Sequence, residues 1–336
     1  MSRVEERVSE EVVVVAIGRN EGERLRRCLQ SVQRVASRVV YVDSGSVDGS
    51  VDLARTFGAE VVELDMRVPF TAARARNAGI ERAREGSPGA RFALVLDGDC
   101  ELVDGFAGEA LRAMREHPRV AVVCGRRRER SREASPYNLL CDMEWDTPVG
   151  DAEACGGDAL LRLAAFGEVG GYDGGIIAGE EPELCLRMRR RGWSVRRIDC
   201  DMTLHDAAMT SFAQWWTRAV RAGHAYAELY ARHGHWRRET ASILAYGGAL
   251  PLAAAAAVPT FGASFTLLGA YALLYERVRR HRRSRGASER DAALYARYCV
   301  LAKFAQLAGM ARYAAGRAFG KRASIIEYKQ ARAASS

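Results

Sequence analysis

The first 116 residues alternate short apolar runs with stretches in which apolar residues recur every three or four positions. Four apolar runs predict buried strands, and four periodic stretches predict amphipathic helices. The strands are VVVVAI (12–17), VVYV (39–42), AEVVEL (59–64) and RFALVLD (91–97), and the helices are EGERLRRCLQSVQRV, SVDLARTFG, TAARARNAGIERAREG and GEALRAMREH. Strands that alternate with crossover helices are typical of a mostly parallel sheet covered by helices. We therefore predict an α/β, Rossmann-like fold for this part of the chain.

A different pattern begins near residue 210. The 36 residues 240–275 contain no charged residue, which exceeds the roughly 20 residues of one membrane span, but Pro251 and Pro259 interrupt the run. Arginines precede the run and the segment ERVRRHRRSR follows it. Basic residues on both sides predict two short helices that enter a membrane and return, at about 241–275. The alternative is an alanine-rich helical hairpin packed inside the protein. We expect a first domain at 1–225 and a helical, membrane-associated region at 226–336.

The formal charge of +8 comes almost entirely from arginine, and it favours anionic partners. Nucleic acid is excluded as a partner, since the chain has no RNA-binding aromatic signature, no Cys/His finger and no basic heptad array. The eight cysteines are scattered, without a CxxC pair, which favours buried thiols in a reducing compartment. The apolar run at 12–17 is too short for the core of a signal peptide. We therefore expect the first domain to lie in the cytoplasm.

Aspartates follow two of the predicted strands. Asp43 follows VVYV, and Asp97 and Asp99 follow ALVL with one glycine between them. Ligands of open parallel sheets bind at the carboxyl ends of the strands, where these side chains can converge. Carboxylate and phosphate oxygens together suit Mg²⁺ or Mn²⁺. Because neither GxxxxGK[ST] nor GxGxxG occurs, a bound nucleotide would depend on the metal and on Arg74 or Arg76 for its phosphates.

Six ordered blocks and a later histidine carry a family resemblance. The blocks are VVVVAIGRNEGERLRRCLQSV, VYVDSGSVDGS, ARARNAG, LVLDGDC, CGGDALLRLAAFGEVGGYDG and GEEPELCLRMRRRGW, and the histidine is His205. Together they resemble the family 2 glycosyltransferases of the GT-A fold over roughly residues 11–225. The order and spacing of the blocks make this resemblance specific, whereas one block alone would not.

The resemblance implies a site for a nucleotide-sugar donor and a divalent metal, Mn²⁺ or Mg²⁺. It implies that Asp99 and His205 bind the metal. Several arginines of RMRRRGW (187–193) lie near the end of a predicted helix, and we expect one of them, Arg191, to close over the diphosphate and the others to complement the helix dipole. The family usually has two aspartates where this chain has Asp43 and Ser44. The donor contacts that it implies are Ile17, Asn20, Asp43, Arg76 and Asp97.

A carboxylate is also needed to take the proton of the acceptor hydroxyl. Glu180 and Glu181 come just before Pro182, which predicts a helix N-terminus whose dipole would keep a carboxylate ionised. The resemblance assigns the base to Glu181, although Glu180 could take this role. The block ACGGDA resembles the wall of the acceptor side, with Gly157 and Asp158 as the candidate contacts.

The predicted function is metal-dependent, inverting transfer of a hexose-type sugar from a UDP-, GDP- or dTDP-sugar. The charge-free stretch favours a membrane-associated acceptor: a lipid-linked saccharide, a polyprenyl phosphate or a polysaccharide of the cell envelope. The protein would then work at the cytoplasmic face of the cell membrane. The alternative, suggested by Ser44 and by Glu181 in place of the usual aspartate, is a non-catalytic membrane adaptor that keeps a nucleotide-sugar-binding fold.

Overall fold

The computed structural model describes residues 11–255 and 263–320. These residues form two compact units, each described here by itself. The first unit contains residues 11–133 and 144–208, and the second contains residues 134–143 and 209–320 without 256–262. The boundary between the units follows residue 208, whereas the sequence predicts a domain boundary after residue 225.

The first unit is built around a nine-stranded sheet. Its strands are β1 (Val12–Gly18), β2 (Val39–Asp43), β3 (Glu60–Glu63), β4 (Phe92–Asp97), β5 (Cys100–Leu102), β6 (Val120–Glu129), β7 (Gly150–Ala152), β8 (Ala159–Arg162) and β9 (Ser194–His205). Its helices are α1 (Glu23–Val32), α2 (Ser50–Thr56), α3 (Ala72–Glu85), α4 (Phe106–Glu116), α5 (Pro136–Trp145), α6 (Leu163–Glu168) and α7 (Glu180–Arg190), of which α5 begins within the second unit. The strands and helices predicted up to residue 116 are all present.

The sheet is mixed, which corrects the prediction of a mostly parallel one. The strand order is β3-β2-β1-β4-β8-β6-β9-β5, with β7 also paired to β9. The first four strands are parallel, but β8 runs antiparallel between β4 and β6, and both β5 and β7 run antiparallel to β9. β8 has four residues, all buried, so it offers no alternating pattern from which a strand could be recognised.

Close packing between α3 and the centre of the sheet sets the position of the ARARNAG block. A Cβ atom added to Gly79 would lie 2.3 Å from Val15 Cγ1 and 2.8 Å from Val42 Cγ2. Only a glycine therefore lets the helix approach β1 and β2 this closely. The approach brings Arg76, one turn earlier on α3, into the buried interior with 2% of its surface exposed.

The second unit is helical. It contains α8 (Phe212–His233), α9 (Arg237–Ile243), a π-helical turn (Leu244–Ala249), α10 (Leu250–Ala254), a 3₁₀ segment (Ala263–Leu268), α11 (Gly269–Ser284) and α12 (Glu289–Ala318). Within the described ranges, none of the helices combines the length and the apolar character that crossing a bilayer requires. The predicted hairpin at 241–275 is described on both sides of 256–262, and these seven residues lie outside the described part. Its insertion in a membrane stays a prediction.

Candidate active site

The carboxyl ends of β1, β2 and β4 meet at one edge of the sheet. Gly18 is paired with Asp43, and Ile17 is paired with Asp97, so the two aspartates end the strands on either side of β1, one residue apart in register. The N–H of Gly98 donates a hydrogen bond to the Ile17 carbonyl at 2.7 Å, which draws the Asp-Gly-Asp turn against β1. The predicted convergence of the strand-end carboxylates is therefore present.

Asp43 organises the loop that follows β2. Its Oδ2 accepts hydrogen bonds from the N–H groups of Gly45 and Ser46, both at 2.8 Å, and its Oδ1 accepts from the Tyr41 hydroxyl at 3.1 Å. Asn20 joins the same loop: its N–H donates to Ser46 Oγ, and its Oδ1 accepts from the Val47 N–H. The structure thus brings Asp43 and Asn20 together, with their side chains engaged in holding this loop.

One arginine connects the aspartate side of the site to the glutamate side. Arg76 Nη2 lies 2.7 Å from Asp97 Oδ1, and its Nη1 lies 2.9 Å from Glu180 Oε1 and 3.0 Å from Glu181 Oε1. These residues come from α3, β4 and α7, and more than 100 positions separate Arg76 from the glutamates. The third glutamate, Glu183, is instead held by Arg187 on its own helix.

The two helix-end glutamates differ in their access to solvent. The side chain of Glu180 is 4% exposed and that of Glu181 is 15% exposed. Burial, followed by the negative charge of Glu180, raises the pKa of Glu181 to about 7, and this outweighs the opposing effect of Arg76. The sequence predicts a helix terminus that keeps the base ionised, but burial and the neighbouring carboxylate dominate in the structure. Near neutral pH, Glu181 therefore exchanges between its acid and base forms.

Asp97 has the opposite electrostatic environment. Burial opposes its ionisation, but Arg76 and Arg127 outweigh burial and hold the pKa of Asp97 well below its usual range. Arg127 Nη2 lies 3.3 Å from Asp97 Oδ2 and 2.7 Å from Asp158 Oδ2. Asp97 is therefore a permanent anion between two guanidinium groups.

Arg127 is a site residue that the sequence reasoning missed. It lies on β6 within the run GRRRER, where Gly125 and Glu129 are buried and Arg126, Arg127 and Arg128 are all partly exposed. The alternation of side chains along a strand is the signal that would ordinarily find such a residue. The register of β6 against β9 shifts twice between Cys124 and Arg127, however, so the facing of these side chains could not be assigned from spacing alone.

Asp158 lies beneath the site and not on its surface. The residue is fully buried; its Oδ1 accepts a hydrogen bond from the Asp97 N–H at 3.0 Å, and its Oδ2 accepts from the Thr203 hydroxyl at 2.7 Å. With Arg127 also paired to it, Asp158 fixes the end of β4 and the guanidinium next to it. This placement does not support the predicted acceptor contact.

The charged side chains of Arg76, Asp97, Arg127, Glu180 and Glu181 are called the charge cluster here, and Arg191 lies away from it. It follows the last residue of α7, whereas Glu180 and Glu181 begin that helix. Eleven helical residues span about 16 Å. Arg191 is exposed at this far end, so its placement does not support the predicted contact with the diphosphate.

Asp99 and His205 come together through the pairing of β5 with β9. Cys100 is opposite His205 in this antiparallel ladder, and His205 Nε2 lies 3.3 Å from Asp99 Oδ2. His205 Nδ1 faces Glu129 Oε2 at 3.7 Å, and the edge of the imidazole packs against the Trp145 ring with centroids 4.8 Å apart. The predicted metal-binding pair therefore forms one buried group.

This group fits a divalent cation. Asp99, His205 and the Cys100 sulfur offer ligand atoms within 4.8 Å of one another. Burial raises the pKa of the Cys100 thiol well above its usual value, and carboxylate oxygen suits Mn²⁺ or Mg²⁺ better than sulfur does. His205 Nδ1 is buried and makes no hydrogen bond. Glu129, which faces it, is a carboxylate of the kind that orients a metal-bound imidazole.

Gly157 provides the space that the charge cluster occupies. A Cβ atom at this position would lie 2.4 Å from Asp97 Oδ2, 2.9 Å from Arg76 Nη2 and 3.0 Å from Arg127 Nη2. The sequence predicts that the missing side chain of this glycine leaves space for an acceptor. In the structure, the side chains of Asp97, Arg76 and Arg127 occupy that space.

Replacing Gly157 by alanine is expected to disrupt this cluster without unfolding the sheet. The methyl group displaces Asp97 from its two arginines, and misplacing such groups by about 1 Å can cost a site about 10²-fold in rate. The measurement is the rate at which nucleoside diphosphate is released from nucleotide sugars, alongside circular dichroism. Gly156→Ala is the matched control, since a Cβ atom there contacts nothing within 4 Å. Equal rates in the two variants would contradict this role of Gly157.

Residues 12–146 match the model of the family described as Glycosyl transferase family 2. A pre-mycofactocin glycosyltransferase from Mycobacterium tuberculosis is 27% identical over 253 residues, which cover 71% of this chain and 51% of that protein. A TPR repeat-containing protein from Synechococcus elongatus is 32% identical over 130 residues, which cover 39% of this chain and 30% of that protein. The matches thus span about half of the first relative's length and less than a third of the second's.

A solved structure shares the fold. The mannosyltransferase PcManGT from Pyrobaculum calidifontis, in complex with GDP-Man and Mn²⁺, superposes with a TM-score of 0.62 at 18% sequence identity, covering 90% of this chain and 87% of that one. This likeness confirms the coarse prediction of an α/β fold with helices around the sheet, here a mixed sheet of the GT-A type. The family match itself covers residues 12–146, which is less than half of the chain.

Proposed function

We propose that the protein transfers a sugar from a nucleotide-diphosphate donor to an acceptor hydroxyl, with inversion at the anomeric carbon and with a divalent metal. The observation that carries this proposal is the bridge made by Arg76. It joins Asp97, next to the metal-binding pair, to Glu181, a carboxyl group of suitable pKa. The match of residues 12–146 to the family 2 glycosyltransferase model supports the same reaction class.

The donor side rests on Asp99, His205, Arg76 and Arg127. Asp99 and His205 would hold Mn²⁺ or Mg²⁺, and a bound cation supplies Lewis-acid neutralisation of the departing diphosphate. The two guanidinium groups hold Asp97 at the same edge of the sheet, and guanidinium N–H groups are the usual donors to phosphate oxygens. The complex of PcManGT with GDP-Man and Mn²⁺ supports a nucleotide-sugar donor. We include UDP-, GDP- and dTDP-sugars as candidates.

The acceptor side rests on Glu181. In its ionised form this carboxylate takes the proton of the acceptor hydroxyl as the oxygen forms a bond with the anomeric carbon. The bond from that carbon to the diphosphate breaks, and its electron pair leaves with the nucleoside diphosphate. Attack from the face opposite the leaving group inverts the configuration. We favour Glu181 over Glu180 because its side chain is the more exposed of the two.

The acceptor class is proposed from the second unit. Its charge-free stretch favours a membrane-associated acceptor, such as a lipid-linked saccharide, a polyprenyl phosphate or a growing polysaccharide. The reaction would then take place at the cytoplasmic face of the membrane.

The test is to incubate the purified protein with a panel of nucleotide sugars and Mn²⁺, and to measure the release of nucleoside diphosphate. Slow hydrolysis of at least one donor is expected even without an acceptor, since water can replace the hydroxyl. The non-catalytic adaptor is the second candidate, favoured by Ser44 and by the commitment of the Asp43 carboxylate to its own loop. Binding of donors without turnover, across the panel and with candidate acceptors added, would favour the adaptor and overturn the enzymatic proposal.

A further inference from the structure

Two helical segments of the second unit pair to form an apolar hairpin, defined here as residues 237–254 and 263–284. Ser264 Oγ donates a hydrogen bond to the Ala254 carbonyl at 3.2 Å. Further along the arms, the Tyr271 hydroxyl donates to the Tyr246 carbonyl, and the rings of these two tyrosines lie 5.9 Å apart. The two arms therefore have contacts at two levels.

The apolar hairpin exposes large hydrophobic side chains on both arms. Leu252 is 76% exposed and Leu273 is 73% exposed. Four more lie on the same two segments: Leu244, Phe265, Leu267 and Leu268. Single exposed leucines are ordinary, but six large exposed apolar side chains within 30 positions are more than scattered exposure explains.

A basic segment adjoins this surface on the second arm. Residues 276–285 contain six arginines against one glutamate, a formal charge of +5 with His281 neutral. Arg280 keeps 77% of its side chain exposed although it pairs with Glu276. Arg282 is instead buried, with its guanidinium 4.0 Å from the centre of the Tyr295 ring. The exposed arginines thus follow directly on the apolar side chains.

We propose that the apolar hairpin docks on an anionic lipid surface. The leucines and Phe265 would enter the boundary between headgroups and acyl chains, and Arg277 and Arg280 would contact lipid phosphates. Neighbouring apolar and basic residues on helices are typical of proteins that lie on a membrane without crossing it. The docking does not depend on the proposed sugar transfer, but it would bring the protein to lipid-linked acceptors.

Charge decides between a lipid surface and other occupants. A second copy of this chain would bring a second +5 segment next to the first, and like charges brought together oppose association. A nucleic acid would satisfy the arginines but would leave the leucines in water. Anionic lipid is the partner that offers both an apolar phase and negative charge.

The experiment is flotation of the full chain with vesicles of phosphatidylcholine alone or of phosphatidylcholine with 30% phosphatidylglycerol, a proportion set at roughly that of an anionic leaflet. One variant is Leu252→Gln with Leu273→Gln, and a second is Arg277→Gln with Arg280→Gln. Val149→Gln is the matched control, an exposed valine in the first unit. Thermal melting of each variant checks folding.

Wild type and control are expected to bind the anionic vesicles at least about tenfold more tightly than the neutral ones. The leucine variant should lose at least about tenfold on the anionic vesicles, and the arginine variant should lose the preference for anionic lipid and its sensitivity to salt. The proposal would be overturned if the wild type did not float with anionic vesicles. It would also be overturned if the variant with both leucines replaced floated as well as the wild type. If the wild type does not float but forms a dimer, and the leucine substitutions dissociate that dimer, the occupant of the surface is a second copy of the chain and the lipid proposal is overturned.

Discussion

Replacing Asp99 by asparagine is expected to lower kcat/KM by about 10³-fold or more, because a neutral amide keeps the shape of the carboxylate but not its charge. Such a loss corresponds to about 4 kcal/mol of transition-state stabilisation. The carboxylate is buried next to His205 Nε2 at 3.3 Å, so solvent does not replace it. The measurement combines steady-state kinetics with a titration of Mn²⁺ followed by electron paramagnetic resonance.

The matched control is Asp201→Asn, since Asp201 lies on β9, the strand of His205, and is 45% exposed in its pair with Arg128. This control is expected to keep wild-type kinetics and Mn²⁺ affinity. An Asp99→Asn protein that keeps more than a tenth of the activity and binds Mn²⁺ as tightly as wild type would remove Asp99 from the site.

Replacing Glu181 by glutamine is expected to lower kcat by about 10²- to 10⁴-fold, the usual contribution of a general base. The wild-type enzyme should also lose activity as the pH falls through about 7, since the raised pKa of Glu181 leaves the carboxyl protonated below that value. Above that pH the carboxylate is ionised and the rate should level off. The measurement is the pH dependence of kcat/KM for both proteins, and the acidic limb should be absent from the variant.

Glu180→Gln separates the two glutamates. The charge of Glu180 is one of the causes that raise the pKa of Glu181, so its removal should move the acidic limb to lower pH while most of the activity remains. If Glu180→Gln abolishes activity and Glu181→Gln does not, the base has been assigned to the wrong residue.

The parts of the fold that the sequence predicts are those with local patterns. In α1, Leu25, Cys28, Leu29 and Val32 recur at helical spacing, and all four are buried as expected. β1 and β4 are continuous apolar runs that end in polar turns, so their carboxyl ends could be located. The antiparallel pairings of β5 and β8 could not, because they depend on contacts between segments distant in sequence and not on any periodicity.

The candidate site shows the same division. Asp97 and Asp99 could be located from their strand, whereas their partnership with Glu181 and His205 could be inferred only through a family resemblance. Arg127 could not be placed, since bulges in β6 decide which way it faces. The roles of Asp158 and Gly157 were interpreted from a motif, but burial and atomic distances show that they support the charge cluster.

The central claim is that the metal-binding pair and the charge cluster together bind a nucleotide-sugar donor. The most direct test is the thermal stability of the wild-type protein with a panel of nucleotide-diphosphate sugars, measured with Mn²⁺ and again with a chelator. A donor at about 100 times its Kd stabilises the folded protein by about 2.7 kcal/mol. We predict that at least one donor raises the Tm with Mn²⁺ and not with the chelator, and that Asp99→Asn removes this increase. No increase with any donor, or one that is equally large with the chelator, would contradict the account.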